Sequence, residues 1–152
     1  MSGAGPGQVL FAFVRHWSRR SMTGDPLVGE QGRLVLVVEA VHALTRRGIG
    51  ATVNAVADEI GIDQSGASRL TRSAAEAGYL TMHASEADGR RRQATVTPAG
   101  HTLLKQAHAW QERMFDRLAA GWSDQQRHDF QQAMTDLIDK SYTWDVGPPP
   151  PG

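Results

Sequence analysis

The side chains best suited to recognition chemistry lie in the middle of the chain. Gln64, Ser65, Ser68, Arg69 and Arg72 recur at the spacing of one helical face. They are donors and acceptors with the reach to read base edges and phosphates in a DNA groove. Further on, Arg90, Arg91 and Arg92 stand consecutively after Asp88-Gly89, a hairpin-turn dipeptide. A basic loop on a two-stranded ribbon is shaped to enter a minor groove, whose narrow electronegative floor attracts arginine. Asp88, two positions ahead of Arg90, is suited to orient that arginine by a charge-assisted hydrogen bond rather than to touch DNA. A solvated helix face and a solvated turn would show the same residue types, so the elements that carry them decide between the readings.

Those elements are legible from pattern. Val53–Ile60 reads as a short helix with Thr52 as N-cap and Gly61 as its left-handed stop, and Asp63 caps a second helix from Gln64 to Ala77, closed at Gly78. Val56, Ile60, Ile62, Ala67 and Leu70 are expected to form their shared core, with small Ala57 where the helices cross. Gly66 in the first turn costs helix stability and permits a close backbone approach. Tyr79–Ala84 and Gln93–Thr97 alternate as strands, with Leu80 and Met82 on one face and Ala94 and Val96 on one face. Ser85–Arg92 is the turn between them.

Outside this module the pattern is helical. Gln8 to Arg20 carries Val9, Leu10, Phe13, Val14 and Trp17 on one face, and Gly24, Asp25, Pro26, Gly29 and Gly32 predict a loop after it. Leu34–Val38 could be a buried strand by composition. The apolar pattern continues through Ala40, Val41, Ala43 and Leu44 to Gly48, however, and that length favours a buried helix. Thr97-Pro98 opens a long helix with Leu103, Ala107, Trp110, Met114 and Leu118 on one face, broadened by Leu104, Gln111 and Phe115, and stopped by Gly121. Ser123 and Gln126 have capping-box spacing at the start of a last helix that carries Phe130, Met134, Leu137 and Ile138. Val146–Gly152, with four consecutive prolines, reads as an extended, unpacked tail.

Taken together, TVNAVADEIGIDQSGASRLTRSAAEAGYL, the wing with Asp88-Gly89-Arg90, and VTPAG leading into the long helix resemble the MarR family of winged helix-turn-helix regulators. Ala67 and Thr71 are smaller or more polar than the aliphatic residues usual there, and the second helix lacks the family's Thr-Pro-x-x-Phe-like opening. The resemblance implies a mainly α fold with a small β-hairpin wing, and a homodimer that represses a pseudo-palindromic operator on double-stranded DNA. The division this suggests is an N-terminal dimerisation helix and loop over 1–32, the DNA-binding module over 33–97, C-terminal dimerisation helices over 98–145 and the tail over 146–152. Phe11, off the first helix's apolar stripe, and Trp110, Phe115, Phe130 and Tyr142 supply more large apolar surface than one small core requires.

Relatives of that family lose DNA affinity when a small, often aromatic anion fills a cleft beside the winged module. Here Arg15 and Arg19 share a face of the first helix beside His16 and Trp17, and the next helix offers His42. An arginine beside an aromatic ring holds a carboxylate or phenolate by charge and stacking. Solvated arginines around a core tryptophan are the plainer alternative. A metal-responsive regulator competes with this reading, yet none of the six histidines forms an i, i+4 pair, and His101 and His108 lie about 10 Å apart along a helix. No metal site and no cofactor is expected.

With no cysteine in 152 residues, thiol catalysis, disulfides and Cys-ligated zinc are excluded. No nucleophile elbow, phosphate loop or metal motif points to an enzyme. A winged interaction module without ligand response is the other class. No apolar run reaches the roughly 20 residues of a membrane span, and no secretory signal pattern opens the chain, so a cytoplasmic protein without a membrane partner is expected. Sixteen basic residues balance sixteen acidic ones, but unevenly. Residues 64–105 carry six basic and three acidic side chains, whereas 106–145 carry four basic and seven acidic. The positive excess falls on the module that resembles a DNA reader.

Overall fold

The computed structural model describes residues 3–23, 26–85 and 91–144, with side chains described outside 19–30. The order of elements is α1 (Pro6–Thr23), α2 (Pro26–Arg46), α3 (Val53–Ile60), α4 (Gln64–Glu76), β1 (Leu80–Ala84), β2 (Arg92–Val96), α5 (Pro98–Leu118) and α6 (Asp124–Thr143). This is a winged helix-turn-helix within a mainly helical chain. The expected tail and the Asp88-Gly89-Arg90 turn fall outside the described residues.

The apolar run of α2 is helical, and it supplies the centre of the core. Val37, Val38 and Val41 are fully buried, with Ala40 and Leu44 nearly so. One expectation fails here: the breaker-rich segment is helix from Pro26 onward, so Gly29 and Gly32 lie inside α2. Proline is tolerated at a first helical position because its missing N–H has no helical acceptor there. Once the valine half is packed, nucleation is already met and each further residue adds a hydrogen bond. That gain carries the helix through two glycines, each costing about 1 kcal/mol relative to alanine. The 32/33 division therefore cuts through a continuous helix.

Two compact units emerge, Met1–His108 and Ala109–Gly152. In the first, Val56, Ala57, Ala67, Ala74, Leu80, Ala94, Leu103 and Leu104 join the α2 residues in one core. Ile60 and Leu70 pack against it, as their spacing predicts, but Ile62 is 37% exposed and does not belong to it. Ile62 follows Gly61, whose φ of 81° turns the chain outward between the helices. Thr71, a polar residue at a core position, is only 3% exposed; its hydroxyl donates to the Ala67 carbonyl at 2.7 Å, which removes the cost of burying it.

The wing is an antiparallel pair with Leu80 opposite Val96 and Met82 opposite Ala94, which puts the predicted apolar residues on the core face. Its corner with α5 explains the Thr-x-x-Gly pattern. The Thr97 hydroxyl donates to Gly78 O at 2.5 Å and accepts from Gly100 N–H at 3.0 Å, so one side chain ties the end of α4 to the start of α5. Gly100 is buried against that corner; a β-carbon there would collide with the Tyr79 carbonyl and stand 2.7 Å from Val96 Cγ1.

The second unit is a helical hairpin that turns at Gly121 (φ 87°). Ser123 and Gln126 form the expected capping box at α6. Phe115 stacks on Phe130 at 5.4 Å between centroids, and Trp122 meets both edge-on. Arg127 lies 5.6 Å over the Phe115 ring, pairs with Asp116 at 2.6 Å and donates to Ala119 O. Phe115, half-buried, Phe130 and Trp122 thus form an aromatic cluster at the hairpin's turn, although Phe130 and Trp122 stay 39% exposed. Trp110, Leu118, Leu137, Ile138, Tyr142 and Trp144 are more exposed still.

Candidate nucleic-acid interface

Helix α4 is two-faced because its small residues recur on one side. Ala67, Thr71 and Ala74 are buried at i, i+4 and i+7, which seats the helix closely on the core. The other side then turns out Gln64, Ser65, Arg69 and Arg72, all exposed, with Ser68 half-buried at the margin. Every residue predicted to read DNA from this helix lies on its outer or marginal surface. The ion pairs of the described residues join Arg47 to Glu59, His108 to Glu39, Arg127 to Asp116 and Lys140 to Asp136; Arg69, Arg72, Arg91 and Arg92 take part in none of them.

The start of α4 is set by Asp63, whose carboxylate accepts from Gly66 N–H at 2.9 Å and from the Ser65 hydroxyl at 3.0 Å. Ser65 is therefore part of the cap as well as the outer face. Gly66 has a local reason too: a β-carbon there would lie 2.6 Å from Asp63 Oδ1. The Gly66 hydrogen bond foremost, then Ser65 and the Arg69 charge, hold the Asp63 carboxyl below the ordinary aspartate value. A carboxylate with a lowered folded-state pKa contributes stability that is present at neutral pH and lost as pH falls through that lowered value. Asp63→Asn, which keeps the capping oxygen without the charge, is expected to flatten the acid side of the melting-temperature profile; an unchanged acid limb in thermal melts against pH would contradict the cap's role.

Between α4 and the wing runs a cleft of about 560 Å³ lined by Ser68, Thr71 and Arg72 of α4, Val53 at the start of α3, and Met82 and Arg92 of the wing. Two arginines from different elements thus border one groove. Arg91 is exposed at the mouth of the hairpin, where its carbonyl accepts from Ser85 N–H at 2.7 Å. Asp88 and Arg90 lie outside the described residues.

The suspected effector residues are less gathered. Arg15 and His16 are exposed on α1, and Trp17 is half-buried with ring contacts to Phe13 at 6.1 Å and His16 at 6.2 Å. The side chain of Arg19 is among those not described. His42 stands edge-on to His101 at 5.7 Å, and His108 meets the Glu39 carboxylate at 2.5 Å. Among the described residues no three His, Cys, Asp or Glu side chains are placed to hold a metal, and no helix is long and apolar enough to cross a membrane. Sequence reasoning missed Gln93 and Ser85, polar residues on an exposed-looking ribbon that spacing alone cannot separate from solvated ones.

No protein-family model and no curated protein sequence matches the chain. Solved structures do. "Crystal Structure of MarR" superposes with a TM-score of 0.67 over 94% of this chain and 95% of that one, at 21% identity. The fold is that of MarR. A MepR variant from S. aureus shares the MarR fold with a TM-score of 0.62, 14% identity, and coverage of 90% and 98%; MepR is also solved in complex with DNA, at a TM-score of 0.55, 16% identity, and coverage of 88% and 98%. Bordetella bronchiseptica BpsR, whose DNA binding is regulated by 6-hydroxynicotinic acid, has a TM-score of 0.57, 20% identity, and coverage of 95% and 98%. Among the described residues, the order of six helices and an antiparallel wing is that of the MarR fold.

Proposed function

We propose that this protein is a MarR-family transcriptional regulator that binds double-stranded DNA as a homodimer, represses from a pseudo-palindromic operator, and is released by a small aromatic or carboxylic effector. The observation that carries the reading is the outer face of α4: Gln64, Ser68, Arg69 and Arg72 beside a wing that opens with Arg91 and Arg92, with none of these arginines held in an ion pair of the described residues. Phosphates are the natural partners of such arginines, and the polar side chains between them have the geometry for base edges. MepR, of the same fold, is solved with DNA, which supports the reading.

Dimerisation is supported by apolar side chains left on the surface. On α1, Phe11 is 69% exposed, with Val9, Phe13 and Val14 also half or more open or nearly so; on α6, Leu137, Ile138 and Tyr142 are similarly uncovered. Uncovered apolar side chains gathered on each of these two helices are the kind of surface that serves association. Helix α1 and the helices over 98–145 take the dimerising role, and the module from α2 to β2 takes the reading role. A two-fold dimer sets its two reading helices about one DNA turn, roughly 34–36 Å, apart.

Effector release is supported by Arg15 next in sequence to His16, whose ring meets Trp17 on α1, with Arg19 following in sequence and His42 on α2, and by BpsR, whose DNA binding 6-hydroxynicotinic acid regulates. A cytoplasmic location follows from this role. A footprint on the DNA upstream of the protein's own coding sequence tests the proposal. Two protected patches one helical turn apart, lost on adding 6-hydroxynicotinate or salicylate, are expected. Absence of protection would refute DNA binding; protection indifferent to aromatic acids would refute the effector.

A further inference from the structure

The wing carries its arginines at the end of a two-stranded ribbon, and a two-stranded ribbon is marginal by itself. Something must hold it at a fixed angle to α4. The connection between α2 and α3 runs alongside β2: Ala94 N–H donates to Ala51 O at 2.9 Å, and Thr52, the N-cap of α3, bridges to Gln93. The ribbon is also held through its core face, where Leu80 and Ala94 are buried, so this contact adds to that packing on the β2 side. The Gln93 side chain adds a second tie. Its Nε2 donates to Ser85 Oγ at 3.2 Å, and its carboxamide lies directly against Gly50. A β-carbon on Gly50 would stand 2.9 Å from Gln93 Cδ and closer still to Nε2. Ser85 is buried, only 9% exposed, at the last described position before the turn, and its N–H makes the rung that closes on Arg91 O.

We propose that the Gln93 carboxamide is a clasp: it locks Ser85 and β2 onto the Gly50–Thr52 connection and thereby fixes where Arg91 and Arg92 stand relative to α4. Gln93 is a positioning residue on this account, and touches no DNA. Glycine at position 50 is required by the clasp rather than by the backbone, since Gly50 does not hold a positive φ. Gly50→Ala therefore strips away no functional group; it displaces the flexible end of Gln93 and unlatches the wing. An unlatched wing still reaches phosphates but must be ordered each time it does so. Affinity falls while the number of phosphate contacts, and hence the salt slope, stays the same.

The inference rests on the DNA-binding reading above, so its test has one arm that needs no DNA. Binding is measured with a labelled duplex from the DNA upstream of the protein's own coding sequence, for the whole chain. Gln93→Ala and Gly50→Ala are each expected to weaken binding about fivefold, the equivalent of one net hydrogen bond, with the salt slope unchanged. In an Arg91→Ala/Arg92→Ala background, Gln93→Ala is expected to add nothing. A Gln93→Ala effect that persists in full in that background would overturn the proposal, because Gln93 would then act on the fold at large. In the second arm, hydrogen exchange of the Ser85 amide is expected to accelerate about fivefold in both variants, with the α2 and α3 amides unchanged. Unchanged Ser85 exchange overturns the clasp whatever the DNA result. Loss of all DNA binding by the unsubstituted protein, with accelerated Ser85 exchange in the variants, overturns the functional reading and leaves the clasp as a structural tie with no arginines to position on DNA.

Discussion

Replacing Arg69 and Arg72 together with alanine is expected to weaken binding to upstream DNA about 30-fold or more, since an arginine on a base or phosphate contributes about 1–3 kcal/mol. The same double variant is expected to melt within about 2 °C of the parent, because exposed substitutions cost at most about 0.5 kcal/mol. This separation follows from the two faces of α4. Ala67, Thr71 and Ala74 hold the helix in the core, while Arg69 and Arg72 are exposed and make no ion pair among the described residues. Equilibrium titration and thermal melts on the same preparation check both halves. Binding that survives the double substitution would remove α4 as the reading helix, and a large fall in melting temperature would mean that the arginines serve the fold.

The second large effect is on stability. Gly100→Ala adds one methyl group, yet it is expected to cost about 2–3 kcal/mol, as overpacking against atoms that cannot move does. In a chain of this length that lowers the melting temperature by about 4–10 °C. The atom in the way is the Tyr79 backbone carbonyl, itself the acceptor of the Thr97 N–H, so neither partner yields without opening the corner where α4, β1 and α5 meet. Gly50→Ala makes an equally close approach to the end of a flexible side chain and is expected to leave the melting temperature nearly unchanged. The contrast is checked by calorimetry on the two variants side by side. Equal melting temperatures for Gly50→Ala and Gly100→Ala would refute the description of the corner.

How far the sequence alone reached depends on whether local or distant contacts decide each feature. The caps at Thr52, Asp63 and Ser123, the stops at Gly61 and Gly121, and the wing's facing were legible because each is fixed by residues a few positions apart. The start of α2 is not legible in this way, because Pro26, Gly29 and Gly32 are breakers by local preference and the packing of the valines further along overrides that preference. Ile62 looked like core because it is apolar; the turn at Gly61 decides otherwise. Among candidate site residues, the α4 face could be read from period alone. The Gln93–Ser85–Gly50 contact could not, because it joins three segments whose proximity exists only after the wing has folded back on the α2–α3 connection.

The balance of charge follows the same logic. Zero net charge hides a net +3 over residues 64–105 and a net −3 over 106–145. On the proposed DNA-binding reading, six basic side chains against three acidic ones would give modest affinity for any duplex, and discrimination would rest on few contacts. The most direct test of the central claim is therefore a salt titration of the whole protein on its own upstream duplex and on a scrambled duplex of equal length. Log affinity is expected to fall linearly with log salt, by about 0.9 per phosphate neutralised, with the upstream duplex the tighter ligand throughout. No measurable binding to either duplex, or binding that salt does not weaken, would contradict it.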